Sequence, residues 1–249
     1  MQIKLGINGA NGRMGQCLGD LVASKQKIYD IAARLSKSSR SDEVATACTL
    51  CDIILDFSSP NGVESIISHA SNSEVKLLIG TTGLQNKHFD LLANIAQTRA
   101  VLYAPNTSVS ANLIAVLAAQ ASKILNTYDV EIVDTHHRHK KDAPSGTAIM
   151  IGQQIAAAKK LKFNDYAVFN RNNGYIRKNN EIGFSSIRGG EIYGDNEVIF
   201  AGDNEVLAMN CRALSRYSFA EGALLAARWL NKQPPGLYSM QDFLTLPGA

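Results

Sequence analysis

Short runs of apolar and β-branched residues recur through the first hundred positions: IKLGIN (3–8), YDIAARL (29–35), DIILDFS (52–58), VKLLIGT (75–81) and AVLYAPN (100–106). Between several of them the apolar positions fall at helical spacing. Met14, Leu18, Leu21 and Val22 form one stripe, Val63, Ile66 and Ile67 a second, and Phe89, Leu91, Leu92 and Ile95 a third. Apolar strands alternating with helices predict an α/β fold, a doubly wound parallel sheet of Rossmann type covered on both faces.

Beyond residue 107 the pattern changes. Ser108 to Leu125 predicts one helix, with Leu113, Val116, Leu117, Gln120 and Ile124 at helical spacing. The strand DVEIVDTHH (129–137) follows, then a helix from about Thr147 to Lys160. Residues 163–180 are polar and Asn-rich and predict a long excursion. Three strand-like runs come next, EIGFSSIR (181–188), EIYGDNEVIFAG (191–202) and EVLAMNCRAL (205–214). The connections Gly189-Gly190 and Asp203-Asn204 suit antiparallel hairpins. These elements predict a second, α+β domain with a mixed or antiparallel sheet. A last helix, SFAEGALLAARWL (218–230), could pack on either domain and precedes a Pro-Pro-Gly turn.

The chain of 249 residues is 45% hydrophobic and 19% charged, enough to bury a core without cross-links. A net charge of +3 gives no reason to expect nucleic acid. The opening MQIKLGINGA lacks the layout of a secretory signal, and no apolar run approaches the roughly 18 residues of a membrane span. A cytoplasmic protein without membrane partners is expected. Of four cysteines, Cys48 and Cys51 form a lone CxxC, which without a second pair predicts reduced thiols rather than a metal site.

Two segments change this picture. The first strand runs into Gly9-Ala10-Asn11-Gly12-Arg13-Met14-Gly15 and then a helix. Glycines allow a tight turn and close approach to a pyrophosphate, and the helix N-terminus offers N–H donors, so the turn predicts a dinucleotide site. An NAD-selective site places a carboxylate after the second strand. Here Arg34, Lys37 and Arg40 stand there with no acid before Asp42, which favours NADPH, with NADH possible. Gly80-Thr81-Thr82-Gly83 and Ala104-Pro105-Asn106-Thr107 end the fourth and fifth strands, where ligands bind in such sheets.

The second segment, DTHHRHKKDAPSGTA (134–148), gathers three of the five histidines beside two lysines. Strand alternation sends His136 and His137 in opposite directions. Pro144 suits a helix start, and Ser145 or Thr147 its cap. Backbone N–H groups of Ser145, Gly146 and Thr147 are expected to hold an anion, with His136 or Lys140 as proton donor. A small acidic substrate is implied. The bland readings are a solvated basic loop or a metal site; the lysines and the missing fourth ligand argue against metal.

Together these motifs resemble the dihydrodipicolinate reductase family, whose signature is similar to Glu-x-His-His-x-x-Lys-x-Asp-x-Pro-Ser-Gly-Thr-Ala. Asp134 stands where the family usually has Glu, and Asn196 where a histidine is expected. Gly9 to Gly15, GTTG (80–83), APNTS (104–108) and IGFSSIRGGEIYG (182–194) also fit, so the resemblance spans nearly the whole chain. It implies a 4-hydroxy-tetrahydrodipicolinate reductase of the diaminopimelate route to lysine, using NAD(P)H. By resemblance His136 and Lys140 are the catalytic pair, and His137, Ser145, Gly146 and Thr147 bind the substrate. Gly9 to Met14, Gly80 to Thr82 and Ala104 to Thr107 touch the cofactor. A dinucleotide-binding domain of residues 1–107 plus 216–249, a substrate-binding and oligomerisation domain of 108–215, and a homotetramer are likewise implied. Two other readings stay open: another two-domain dehydrogenase, aspartate dehydrogenase-like, and a non-catalytic dinucleotide sensor.

Overall fold

The computed structural model describes residues 2–245. In chain order its elements are β1 (Ile3–Asn8), α1 (Arg13–Ser24), β2 (Tyr29–Leu35), α2 (Ser41–Leu50), β3 (Ile53–Asp56), α3 (Pro60–Ala70), β4 (Lys76–Ile79), α4 (Asn86–Ile95), β5 (Ala100–Tyr103) and α5 (Val109–Ile124). There follow β6 (Asp129–His136), α6 (Gly146–Ala158), α7 (Phe163–Tyr166), β7 (Ala167–Val168), β8 (Ile182–Arg188), β9 (Gly194–Ala201), β10 (Val206–Ala213), α8 (Tyr217–Leu230), β11 (Gly236–Tyr238) and α9 (Met240–Phe243). The chain divides into two compact units, Met1–Val109 with Arg216–Ala249, and Ser110–Ser215.

The first unit holds a six-stranded sheet in the order β11-β5-β4-β3-β1-β2, parallel throughout. Its strands are apolar because both faces are covered. On one face Leu5, Ile7, Ile53 and Leu55 pack under α1 and α8, through Leu18, Val22, Ala223, Leu224 and Ala227. On the other, Ile54, Leu77, Ile79 and Val101 pack under α2, α3 and α4, through Val44, Ile66, Ile67, Leu92 and Ile95. The last helix, which either domain could have taken, thus seats on the first sheet. Its Gly222 lies against the Thr107 carbonyl so closely that a Cβ there would collide with it. Three elements here, α2, the edge strand β11 and the short α9, were not predicted.

Strand order reverses beside β1: the chain leaves β1 for β2 on one side, then returns to lay β3 on the other. Such a switch point opens a crevice at the carboxyl ends of the two strands.

The second unit holds a five-stranded mixed sheet, β10-β9-β6-β8-β7. One face packs Val130, Ile132, Phe184, Val198 and Phe200 against Ile114 and Ala118 of α5 and Ile151 and Ile155 of α6. The Asp203-Asn204 turn makes the expected antiparallel hairpin between β9 and β10. The Gly189-Gly190 hairpin is corrected: β8 and β9 are not neighbours, because β6 lies between them, parallel to β8 and antiparallel to β9. The two glycines instead cap the end of β6. Gly189 N–H donates to His136 O (3.0 Å), and Gly190 O accepts from Arg138 N–H (3.2 Å).

Candidate active site

In the first unit, the loop from β1 to α1 turns at Gly9, whose φ of +87° favours glycine. A Cβ on Gly9 would strike the Phe57 carbonyl, and one on Gly15 the Gly9 carbonyl and Ala10 backbone. Gly12 is the N-cap of α1 and supplies no side-chain cap, which leaves the first-turn N–H donors for another acceptor. A cavity of about 870 Å³ opens at this switch point. Gly9, Asn11 and Gly12 line it with Lys37, Ser38, Ser58, Ser59, Asn61 and Gly62. These residues fit a dinucleotide: tight glycines beside one helix N-terminus, and a second helix start at Pro60. The contribution of Ser58 to Gly62 was missed. Its signal was Ser59-Pro60 directly after the predicted strand, which reads as an N-cap and N1 proline.

The three cations after β2 part company. Lys37 lines the cavity. Arg34 lies over α1, its guanidinium about where a Cβ on Gly19 would meet it at 3.1 Å, and it is not among the lining residues. Arg40 turns to Asp42 (2.9 Å) at the start of α2. Arg34 thus stands beside α1, near Gly19.

Behind the cavity sits a buried hub. The Asp56 carboxyl, with no exposed surface, accepts from Asn8 Nδ2 (2.6 Å), Thr81 Oγ1 (2.6 Å) and Ser58 Oγ (2.9 Å). Burial raises its pKa more than these neutral donors lower it. The hub joins the loops after β1, β3 and β4, and it turns the Thr81 side chain inward while Thr82 stays exposed. A Cβ on Gly80 would collide with the Phe57 ring. Ala104 is buried, Pro105 exposed, and Asn106 Oδ1 accepts from Ser108 N–H (2.9 Å). Thr107 Oγ1 donates to Phe219 O (2.7 Å), so this side chain fastens the loop to α8.

In the second unit, Asp134 and His136 stand two apart on β6 and share the face toward the helices. His136 Nδ1 lies 2.6 Å from Asp134 Oδ1. The other partners of this buried carboxylate are Ser145 N–H (2.9 Å), Ser186 Oγ (2.8 Å) and the Arg188 guanidinium (3.1 and 3.2 Å). Burial by itself would raise the Asp134 pKa. The bonds from His136, Arg188, Ser145 and Ser186 outweigh it and hold the carboxyl well below the usual carboxylate range.

α6 begins at Gly146, with Ser145 as N-cap accepting from Ala148 N–H (3.2 Å). Pro144 therefore lies just outside the helix. Of the three backbone donors expected to hold an anion, that of Ser145 is already engaged by Asp134, because the cap is buried against β6. Gly146 is exposed at the helix start and Thr147 half-buried. Lys140 Nζ pairs with Asp142 Oδ1 (2.9 Å), a partner the sequence reading passed over. His137 is half-buried, and its Nδ1 has no hydrogen-bond partner among the described residues. Arg138, His139 and Lys141 are exposed. Among the described residues no cluster of three His, Cys, Asp or Glu side chains could hold a metal.

Residues 3–107 match the family model described as dihydrodipicolinate reductase, N-terminus, and residues 110–244 the model described as dihydrodipicolinate reductase, C-terminus. The chain belongs to the dihydrodipicolinate reductase family. Among its relatives is the 4-hydroxy-tetrahydrodipicolinate reductase of Rickettsia rickettsii, 45% identical over 240 residues and covering 96% of this chain and 98% of the relative. That of Campylobacter jejuni is 40% identical over 244 residues, covering 97% and 99%. The fold of a dipicolinate-bound dihydrodipicolinate reductase from Paenisporosarcina sp. TG-14 matches this one with a TM-score of 0.75, at 21% identity and 98% coverage of this chain and 100% of that one. A DAP dehydrogenase of C. glutamicum shares the fold more distantly, with a TM-score of 0.59 at 11% identity, covering 100% of this chain and 97% of that one. No described helix is long and apolar enough to cross a membrane.

Proposed function

We infer that this chain reduces 4-hydroxy-tetrahydrodipicolinate, in its cyclic dehydrated form, to tetrahydrodipicolinate, with NAD(P)H as reductant, in diaminopimelate and lysine biosynthesis. One observation carries the reading. His136 Nδ1 and the Ser145 N–H at the start of α6 meet on a single buried carboxylate, Asp134, so an acid and an anion-facing helix end are built as one piece.

The nicotinamide cofactor, when bound, supplies the hydride. The chain's own residues supply the rest. Gly9, Asn11 and Gly12 hold the diphosphate against the N-terminus of α1. Arg13, Met14, Gly80 to Thr82 and Ala104 to Thr107 complete the cofactor contacts, with Thr81 and Thr107 acting through the loops they fasten. His137, Gly146 and Thr147 bind the substrate carboxylates, and Ser145 sets the helix end in place. Hydride addition to a conjugated imine leaves an electron-rich enamine, whose carbon takes one proton from His136 or Lys140. The aspartate dehydrogenase-like and sensor readings give the His136–Thr147 run no task.

NADPH is the favoured cofactor in this reading. Lys37, with the hydroxyls of Ser36, Ser38 and Ser39, faces the cavity with no carboxylate among its lining residues, a setting for a 2′-phosphate. A homotetramer is favoured by the sheet face of the second unit that points away from α5 and α6. It carries Ile199, Ile187 and Val206, the last two more than half exposed. A cytoplasmic setting belongs to the same reading.

The test is a coupled assay in which freshly made hydroxy-tetrahydrodipicolinate is supplied and nicotinamide absorbance followed. Loss of absorbance that depends on both protein and substrate is expected; no oxidation of either NADPH or NADH would reject the assignment.

A further inference from the structure

Among the described residues, the charged side chain that pairs with the proposed acid, His136, is Asp134. Of the elements around His136, β9 presents Gly194 and Asn196 and α6 presents Ser145, all uncharged; Lys140 and Asp142 pair with each other in the loop. Its charged neighbours are Asp134 on its own strand and, through Asp134, Arg188 of β8. A Cβ on Gly194 would come within 3.0 Å of His136 Nε2, so a side chain at that position would crowd the ring nitrogen that Asp134 does not hold.

Arg188 does more than neutralise Asp134. Its Nη1 donates to the Asp134 and Ile187 carbonyls (3.1 and 2.8 Å), and its Nη2 donates to the Asp142 carbonyl (2.7 Å). Asp142 in turn holds Lys140. One buried ion pair therefore reaches His136, the N-terminus of α6, and the residue that carries Lys140. Asp134 has no exposed surface, so it cannot itself touch substrate.

We propose that Asp134 and Arg188 are positioning residues for the reduction: Asp134 holds the proton of His136 on Nδ1, leaving Nε2 to exchange protons, and Arg188 fixes Asp134 and the Lys140 loop in register. The proposal rests on the functional reading above. The physics is that of any imidazole backed by a buried carboxylate, which fixes ring orientation and tautomer without itself taking the proton.

The experiment combines ¹⁵N-histidine NMR with kinetics on the full chain. In wild type, the His136 signal, assigned by its loss in His136→Gln, is expected to report a protonated Nδ1. Asp134→Asn, with one acceptor left and no charge, should shift the neutral ring toward the Nε2–H tautomer. Its kcat should fall about 10²-fold with an altered pH profile, while its Kd for NADPH stays within about twofold. Asp134→Glu, which keeps the carboxylate, should recover most of kcat. Two results overturn the proposal: a wild-type His136 with a bare Nδ1, which needs no variant, or a folded Asp134→Asn enzyme with wild-type kcat and pH profile. A wild-type protein that turns over no substrate would instead reject the functional reading, and the tautomer measurement would still stand.

Discussion

Two buried aspartates of this chain carry pKa shifts of opposite sign, and the difference lies in their partners. Asp134 is met by a guanidinium and an imidazole; Asp56 is met by an amide and two hydroxyls. The signs follow from linkage. The lowered Asp134 contributes stability that is present above the unfolded pKa of about 3.9 and is lost as pH falls through its folded value. The raised Asp56 favours the fold most in acid, and its contribution declines as pH rises from about 3.9 through its folded value. Unfolding free energies measured between pH 4 and 8 should therefore separate the two: Asp134→Asn destabilises at pH 7, whereas Asp56→Asn costs progressively less as pH rises. Parallel pH profiles for both variants would contradict the assignment.

Burial pushes Cys48 up to about 11 and Cys51 up to about 12, so both are neutral thiols at pH 8. A disulfide reagent should label neither in the folded protein and both in guanidinium; rapid labelling of the native chain would revive a redox role for the CxxC. At this scale the sequence was partly legible. His136, Lys140 and the glycines of the first turn stand in runs that announce themselves. The role of Asp134 was within reach, since it stands two residues before His136 on one strand. Arg188 was not, because only the pairing of β6 with β8 brings it there. Arg34 and Lys37 could not be told apart in the sequence, because charge alone does not tell which face of a strand a side chain takes.

At the scale of elements, the polar excursion between α6 and β8 is folded back by charge. Arg171 bonds Glu131 with both Nη atoms (3.0 and 2.6 Å), and Arg177 bonds Glu131, Asp129 and the Val130 and Glu181 carbonyls. Glu131→Gln should leave the two sheets intact but speed hydrogen exchange across residues 167–181; unchanged exchange would show that the pairs do not hold the segment. This architecture was invisible in the sequence, since a polar stretch with scattered arginines reads the same whether folded or loose. α2 was missed for a related reason: it buries only Val44, Ala47 and Cys48, and its apolar stripe is too thin to stand out. The misplaced β8–β9 hairpin shows the opposite limit. Its turn chemistry was read correctly as local, but a strand from 50 residues earlier inserts between the two partners.

For the whole molecule, the chain divides into Met1–Val109 with Arg216–Ala249 and Ser110–Ser215; the change of periodicity after residue 107 was legible in the pattern, whereas the return of the C-terminal segment to the first domain was implied by the resemblance alone. The proposed tetramer predicts a solution mass about four times the 26.9 kDa of the chain. Ile187→Glu or Val206→Glu, on the sheet face away from the helices, should lower it; a wild-type monomer by light scattering would contradict that reading. Cofactor choice is tested by the ratio of KM values. Lys37→Ala should raise KM for NADPH about tenfold more than for NADH, and Arg34→Ala should leave the ratio within about twofold, as expected if only Lys37 faces a charged 2′-phosphate. The most direct measurement of the central claim is steady-state reduction of hydroxy-tetrahydrodipicolinate by wild type and His136→Gln side by side. Wild type is expected to oxidise NAD(P)H only with substrate present, with kcat lower by about 10²-fold or more in the variant; equal rates in the two proteins would contradict the account.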